Sequence, residues 1–352
     1  MPFAQGAQLG AETVNKEGGI KAMEGAQIDV TTSDDKSDPE AARQGALDLT
    51  GSDGVSAIVG PDGSGTCLGA APVAEQNQVP LLCSGTDPTI TSEGYEFVYN
   101  VGTLSIAFSE TLIRFLEEVN KGGEEITKIG IIHEDGPYGS TFGEQLSSLA
   151  PKAGFEVVSN LSFSAGDPNL KPLVTRAADA GAQLLFVGSF SPDVITALKA
   201  VTTLDSNMLV ASISGSVLVP TVAELGDVSN GVLAIANWNI AMNNRPDLAS
   251  FTKEYEAEFG EAPTADAATG YMAMKSVAAA LEQAQSSEPA DIKAALDEVE
   301  AEIGITPAPK INYDEEGLLQ PQEETTVVAQ LQNGKFETIY PAEVATGKFK
   351  AK

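Results

Sequence analysis

Basic residues, histidine, cysteine and long apolar runs are all scarce in this chain, and each scarcity closes a class of function. Lysine and arginine number 20 against 50 aspartates and glutamates, for a formal net charge of −30. A face that neutralises phosphates must be basic, so nucleic acid is not expected as a partner. The acids are scattered through the chain and do not gather in a tail, which reads as a solvated, self-repelling surface. His133 is the one histidine, and Cys67 and Cys83 are the two cysteines. They cannot build a Cys/His metal centre, and neither a metal nor a cofactor is expected. No apolar run approaches the roughly 18 residues of a membrane span, and no basic and apolar signal segment opens the chain. The GxSxG elbow, the P-loop and GxGxxG are missing. His133 beside Glu134 and Asp135 offers an acid–base pair, but no nucleophile goes with it, and the chain is not expected to be an enzyme.

What is present is an α/β protein. At 352 residues the chain is long for one core, so two domains are expected. Apolar runs alternate with amphipathic stretches, which implies mostly parallel sheets. One such series runs to about residue 119, with a strand at 26–31, a helix opening at Asp38-Pro39 and a strand at 97–101. A second starts at Lys128 with the strand IGIIHEDG and continues to residue 237. Helices at 248–259, 265–285 and 290–299 follow, and the chain closes on two β-runs around Asn333-Gly334, a strong hairpin signal.

The stretch 57–91, AIVGPDGSGTCLGAAPVAEQNQVPLLCSGTDPTIT, organises the first series. It holds two strand–loop–helix units in succession, with Ser64 in the first loop and Gly85-Thr86 in the second. Loops at the carboxyl ends of parallel strands are where α/β sheets bind ligands, and amides at helix starts suit an anion. Ser64 and Thr86 therefore read as two halves of one carboxylate grip. Taken singly, each reads first as an N-cap of its own helix, the commoner job of such residues; the tandem arrangement favours the grip. Adjacent βα units also bring Cys67 and Cys83 close enough for a disulfide, and two buried free thiols are the alternative.

Several motifs occur in an order that resembles the periplasmic-type substrate-binding proteins of branched-chain amino acid ABC transporters. They are N-x-x-GGI, the DDxxDP helix start, IVGP followed by a hydroxyl and a helix, VPLL-CSGTDPTIT, a strand ending before PYG, and the closing QNGKF hairpin with its YP. The match covers nearly the whole chain. It implies the type I periplasmic binding protein fold: two doubly wound, Rossmann-like lobes joined by a three-strand hinge, closing on a ligand. Placed on this chain, the first lobe is 1–124 plus 239–320 and the second is 125–238 plus 321–352, with hinge linkers near Gly122-Gly123, Trp238 and Gly317. The resemblance gives Ser64 the ligand carboxylate, Gly85 a carbonyl for the ammonium, and Thr86 a hydroxyl for the carboxylate. It makes Tyr138 and Phe190 aromatic walls of the second lobe. It implies extracytoplasmic capture of an amino acid or related polar ligand, an ABC permease as partner, and a monomer. A ligand-sensing receptor domain of the same build is the alternative.

Two departures stand out. Where the family carries an acid after the strand MLVAS, this chain has Ile213-Ser214-Gly215-Ser216. Ser214 can accept a hydrogen bond but not a charge-assisted one. Asp266 is the candidate replacement anchor for the ammonium, or else an exposed helix cap. Asp62 and Asp87 add negative charge near Ser64 and Thr86, which points to a less standard ligand such as an amide, a urea-like solute or another amino-acid derivative. The family also has a strand ahead of the PFAQ loop. The fold is expected to lack this first strand here, and the natural polypeptide to extend upstream of Met1 with that strand and an export signal.

Overall fold

Helix α1 (Pro2–Lys16) forms where the sequence spaces Phe3, Leu9, Ala11 and Val14 on one buried side. The computed structural model describes residues 2–51, 55–242, 245, 247–305, 310–322 and 326–351. Helix α2 (Pro39–Gly51) follows, and the Asp38 carboxylate accepts the Ala41 amide at its start, as an N-cap should. Then come β1 (Ile58–Asp62), α3 (Ser64–Asn77), β2 (Leu81–Ser84), the single turn α4 (Thr89–Ser92) and β3 (Val98–Asn100). The three strands form a parallel sheet in the order β1-β2-β3.

The second series is α5 (Ser105–Lys121), β4 (Lys128–Glu134), α6 (Pro137–Lys152), β5 (Glu156–Phe163), α7 (Lys171–Asp179), β6 (Leu184–Gly188), α8 (Ser191–Thr203), β7 (Leu209–Ile213), the short α9 (Ser214–Val217) and α10 (Pro220–Ala223), and β8 (Leu233–Ala236). Helices α11 (Leu248–Phe259), α12 (Ala265–Ala284) and α13 (Pro289–Leu296) come next. Short strands β9 (Ala301–Glu302), β10 (Lys310–Tyr313) and β11 (Leu319–Gln320) precede the hairpin β12 (Val327–Gln332) and β13 (Lys335–Tyr340). Asn333 and Gly334 both have positive φ, 53° and 81°, as the tight hairpin turn requires.

The chain divides into two compact units, residues 1–104 with 245–325 and residues 105–244 with 326–352. In the first, α1 crosses α12 at very short range. A Cβ on Gly6 would stand 1.8 Å from the Ala267 carbonyl oxygen, and one on Gly270 would stand 2.0 Å from that of Phe3. Glycine is needed at both positions because any side chain would push the helices apart. In the second unit, seven strands form one sheet in the order β13-β12-β8-β7-β6-β4-β5. Its inner strands are apolar on both faces. Ile129, Ile131, Leu184 and Phe186 pack with Phe108, Leu112 and Phe142 of α5 and α6. Ile132, Leu185 and Val187 pack on the other face with Val174, Val194 and Leu198 of α7 and α8. That two-sided burial is the signature of a parallel, doubly wound sheet.

Three expectations need correction. Residues 26–31 form no strand. Beyond an isolated bridge at Ala26 the segment is mostly exposed, and the Asn15 side chain satisfies both backbone groups of Ile28 at 2.8 Å each in place of a neighbouring strand. The boundary expected at residue 124 falls instead at 104/105, because the apolar face of α5 is part of the second unit's core. The other crossings fall at 244/245 and 325/326. Gly317, expected in a hinge, lies inside the first unit, where its amide is in a turn closed on Asp314 and its carbonyl accepts the Asn100 amide.

Candidate functional site

The loops after β1 and β2 meet at Ser64. Ser64 is the first residue of α3 and is 3% exposed. The residue in the cap position of α3 is Gly63, so Ser64 does not cap its own helix. Its Oγ instead accepts the amides of Thr86 at 3.1 Å and Asp87 at 3.3 Å, and stands 3.5 Å from Thr86 Oγ1. Thr86 caps nothing either: the Asp87 carboxylate takes the Thr89 amide and hydroxyl at the start of α4. The two hydroxyls are therefore brought together, as the tandem loops suggested, through a cross-loop clasp that no local pattern encodes.

Gly85 is held tightly in that clasp. Its Cβ, if it had one, would meet Ile90 Cδ1 at 2.3 Å and Ser64 Cα at 3.1 Å. Asn100, which the sequence did not single out, exchanges two hydrogen bonds with the Gly85 backbone at 3.1 and 2.9 Å and accepts the Gly102 amide at 2.8 Å. It is fully buried at the end of β3, and an asparagine closing an otherwise apolar strand was the available signal. Behind the clasp, Cys67 and Cys83 are joined as a disulfide, with Cα atoms 5.8 Å apart and both residues fully buried.

Two further acids belong to the first unit. Asp62 closes β1 opposite Ser84 of β2, and Asp266 lies in the first turn of α12. Thr264, whose side chain accepts the Ala267 amide, is the cap there, so Asp266 is not the exposed helix cap of the alternative reading. Desolvation raises the Asp62 carboxyl, and repulsion from Asp266 and Asp35 adds to it, against a lowering hydrogen bond from the Ser84 hydroxyl. Half-buried Asp266 is likewise raised, by desolvation.

In the second unit, Tyr138, at the start of α6, stacks on Phe190 with ring centroids 5.0 Å apart and an interplanar angle of 22°. Phe142 meets Tyr138 edge-on from below at 5.7 Å. The Tyr138 hydroxyl lies 3.1 Å from Ser216 Oγ. Phe190 occupies the cap position of α8 and is 52% exposed, one of the few large apolar side chains so placed among the described residues. Ser214, buried at the start of α9, lies 3.5 Å from Asn237 Oδ1 and not in the Tyr138–Ser216 contact. His133 and Glu134 are engaged with backbone: His133 Nδ1 is 2.8 Å from the Glu134 carbonyl, and the Glu134 carboxylate accepts the Gly136 and Gly139 amides at the head of α6.

Comparison with known proteins bears on the family and the fold. A family model described as periplasmic binding protein matches residues 1–335. A Leu/Ile/Val-binding protein homolog of Brucella suis is 26% identical over 99% of this chain and 88% of its own length. The leucine-, isoleucine-, valine-, threonine- and alanine-binding protein of Pseudomonas aeruginosa is 26% identical over 90% of this chain and 81% of its own. Among solved structures, a leucine-binding protein of Thermotoga maritima superposes with a TM-score of 0.81 at 20% identity, covering 98% of this chain and 93% of that one. A branched-chain amino acid transporter substrate-binding protein of Streptococcus pneumoniae, in complex with isoleucine, gives 0.81 at 22% identity, covering 98% and 94%.

Proposed function

The chain belongs to the periplasmic binding protein family and has the type I fold, and from that premise we propose that it captures an amino acid or a related small polar ligand outside the cytoplasm and delivers it to an ABC importer. The observation that carries this reading is the Ser64–Thr86 clasp. Two hydroxyls 3.5 Å apart stand at the end of two parallel strands and at the start of a 14-residue helix, where partial positive charge favours a carboxylate. Ser64 Oγ already accepts two amides, so its own proton is left to donate, to Thr86 Oγ1 or to a ligand, and Thr86 adds a second hydroxyl. Gly85 lets the loop approach closely, and Asn100 holds it there. Asp266 supplies the counter-charge for the ligand's ammonium. In the second unit Tyr138 and Phe190 provide an apolar lid for the side chain, and Ser214 a secondary polar contact. No covalent chemistry is needed: closure by a hinge motion converts capture into a shape that a permease recognises. The buried disulfide supports an oxidising compartment. Among the described residues no helix is long and apolar enough to cross a membrane.

The test is a thermal-shift and calorimetric panel of amino acids, amides and urea against the wild type, Ser64→Ala and Thr86→Ala. Each substitution is expected to cost about 1.5–3 kcal/mol of binding, the worth of a hydrogen bond to a charged group. Unchanged binding of every hit in both variants would overturn the site.

A further inference from the structure

We propose that the open face of Phe190 is a stacking platform, so that the preferred ligand is an amino acid with an aromatic side chain. This rests on the reading of Tyr138 and Phe190 as the cover for the ligand's side chain, and deepens it by naming the class of that side chain.

The pair stands at a distinctive place in the second unit. The parallel strands of its sheet lie in the order β5-β4-β6-β7-β8. From β4 the chain steps outward to β5 and then returns to β6 on the other side of β4. The strand order therefore reverses between β4 and β6. In an open α/β sheet, ligands bind in the crevice outside the carboxyl ends of the strands at such a reversal. Tyr138 lies in the first turn of α6, which follows β4, and Phe190 is the cap residue of α8, which follows β6. Helix α6 packs on one face of the sheet and α8 on the other, so the two rings meet across the crevice. The start of α6 is pressed against β6: a Cβ on Gly139 would stand 2.6 Å from the Gly188 carbonyl oxygen.

The rings form a series that runs from the core to water. Phe186 of β6 meets Phe142 at 5.4 Å, Phe142 meets Tyr138 edge-on at 5.7 Å, and Tyr138 stacks on Phe190 at 5.0 Å. Buried Ser216, beyond the end of β7, engages the Tyr138 hydroxyl at 3.1 Å and fixes the ring at its far end. The last ring of the series is treated differently from the others. Among the described residues, Phe190 is the one aromatic side chain that is exposed, at 52%. That exposure forgoes the burial a phenylalanine otherwise gains. A ring already held from behind loses little freedom when something covers its outer face. A flat π face is complemented best by another ring in an offset stack, the arrangement Tyr138 already makes on the inner side. An aliphatic side chain covers the same face but gains area burial alone.

L-phenylalanine and L-cyclohexylalanine separate the two cases, because they share a carbon skeleton and differ in whether the six-membered ring is planar and aromatic. Area burial by itself favours the cyclohexyl ring, which is the more apolar. The full chain is titrated calorimetrically with each ligand. Phenylalanine is expected to bind about threefold to tenfold tighter, the worth of a stacked ring pair. Phe190→Leu keeps an apolar contact and removes the flat face, and is expected to bring that ratio down to about one or below, with a thermal melt confirming that the variant folds. Ser64→Ala is expected to weaken both ligands alike and leave the ratio in place. Phenylalanine that fails to bind, or that binds no tighter than cyclohexylalanine, overturns the platform, and so does a ratio that survives Phe190→Leu. If Ser64→Ala still weakens the ligands that bind, the carboxylate grip stands in either case. If Ser64→Ala changes neither ligand while Phe190→Leu abolishes the ratio, the grip fails and the platform stands.

Discussion

The strand ends of the two units are built from opposite materials. Those of the first unit present hydroxyls and a carboxylate: Ser64 and Thr86, held by a clasp of side chain to backbone, and Asp62 at the end of β1. Those of the second present rings: Tyr138 stacked on an exposed Phe190 and supported from the core by Phe142. The difference teaches that the polar loops and the exposed ring pair belong to separate units, each with its own means of rigidity. A buried disulfide and Asn100 brace the polar loops. The aromatic pair is braced by a seven-stranded sheet whose two faces are both packed.

The sharpest way to break the comparison is to remove the support of one side only. Phe142 is fully buried and touches Tyr138, Phe108 and Phe186. Phe142→Ala should cost about 3–5 kcal/mol by cavity formation. Hydrogen exchange should accelerate in β4, α5 and α6 while β1, β2 and α3 keep their protection. Equal loosening of both units would contradict the division. The converse is the pair Cys67→Ser with Cys83→Ser. Closing a loop of 16 residues contributes about 3 kcal/mol, and its loss should appear in the first unit alone, as a lowered denaturation midpoint with Tyr138 and Phe190 undisturbed.

Smaller effects sharpen the contrast. Phe190→Ala should change stability by no more than about 0.5 kcal/mol, as befits a half-exposed side chain, yet weaken binding of an apolar or long side chain by about 1 kcal/mol. Stability loss without loss of binding would make Phe190 structural. The smallest effect is the pH slope of the acid pair. Both carboxyls are raised in the folded protein, Asp62 to about 8 and Asp266 to about 6, so from about pH 4 up to those values the pair binds more protons folded than unfolded, and its contribution to stability falls as pH rises through that window. Asp62→Asn removes part of that slope. Its melting temperature should therefore gain on the wild type as pH increases through that window, and parallel curves would show that the Asp62 carboxyl is not raised in the folded protein.

How much of this was legible in the sequence follows from where the information lies. The strands of the second unit were readable because burial on both faces leaves continuous apolar runs, such as Ile131-Ile132 and Leu184–Val187. The hairpin was readable because Asn333-Gly334 is itself the turn chemistry. Residues 26–31 misled, because alternation describes a face and not the neighbour a strand must pair with. The boundary at α5 misled for a related reason: an amphipathic helix shows that it packs, not against which core. Ser64 and Thr86 were found from their loops, but the hydrogen bonds that join them run between residues 22 and 23 positions apart. Asn100 was missed because its partner Gly85 lies 15 positions away in the chain.

The most direct test of the central claim is a crystal structure of the protein with a bound amino acid. The account expects the ligand carboxylate within hydrogen-bond distance of Ser64 Oγ and Thr86 Oγ1, its ammonium toward Asp266 and its side chain against Tyr138 and Phe190. A ligand whose carboxylate lies elsewhere, with the Ser64 and Thr86 hydroxyls facing only each other and protein, would contradict it.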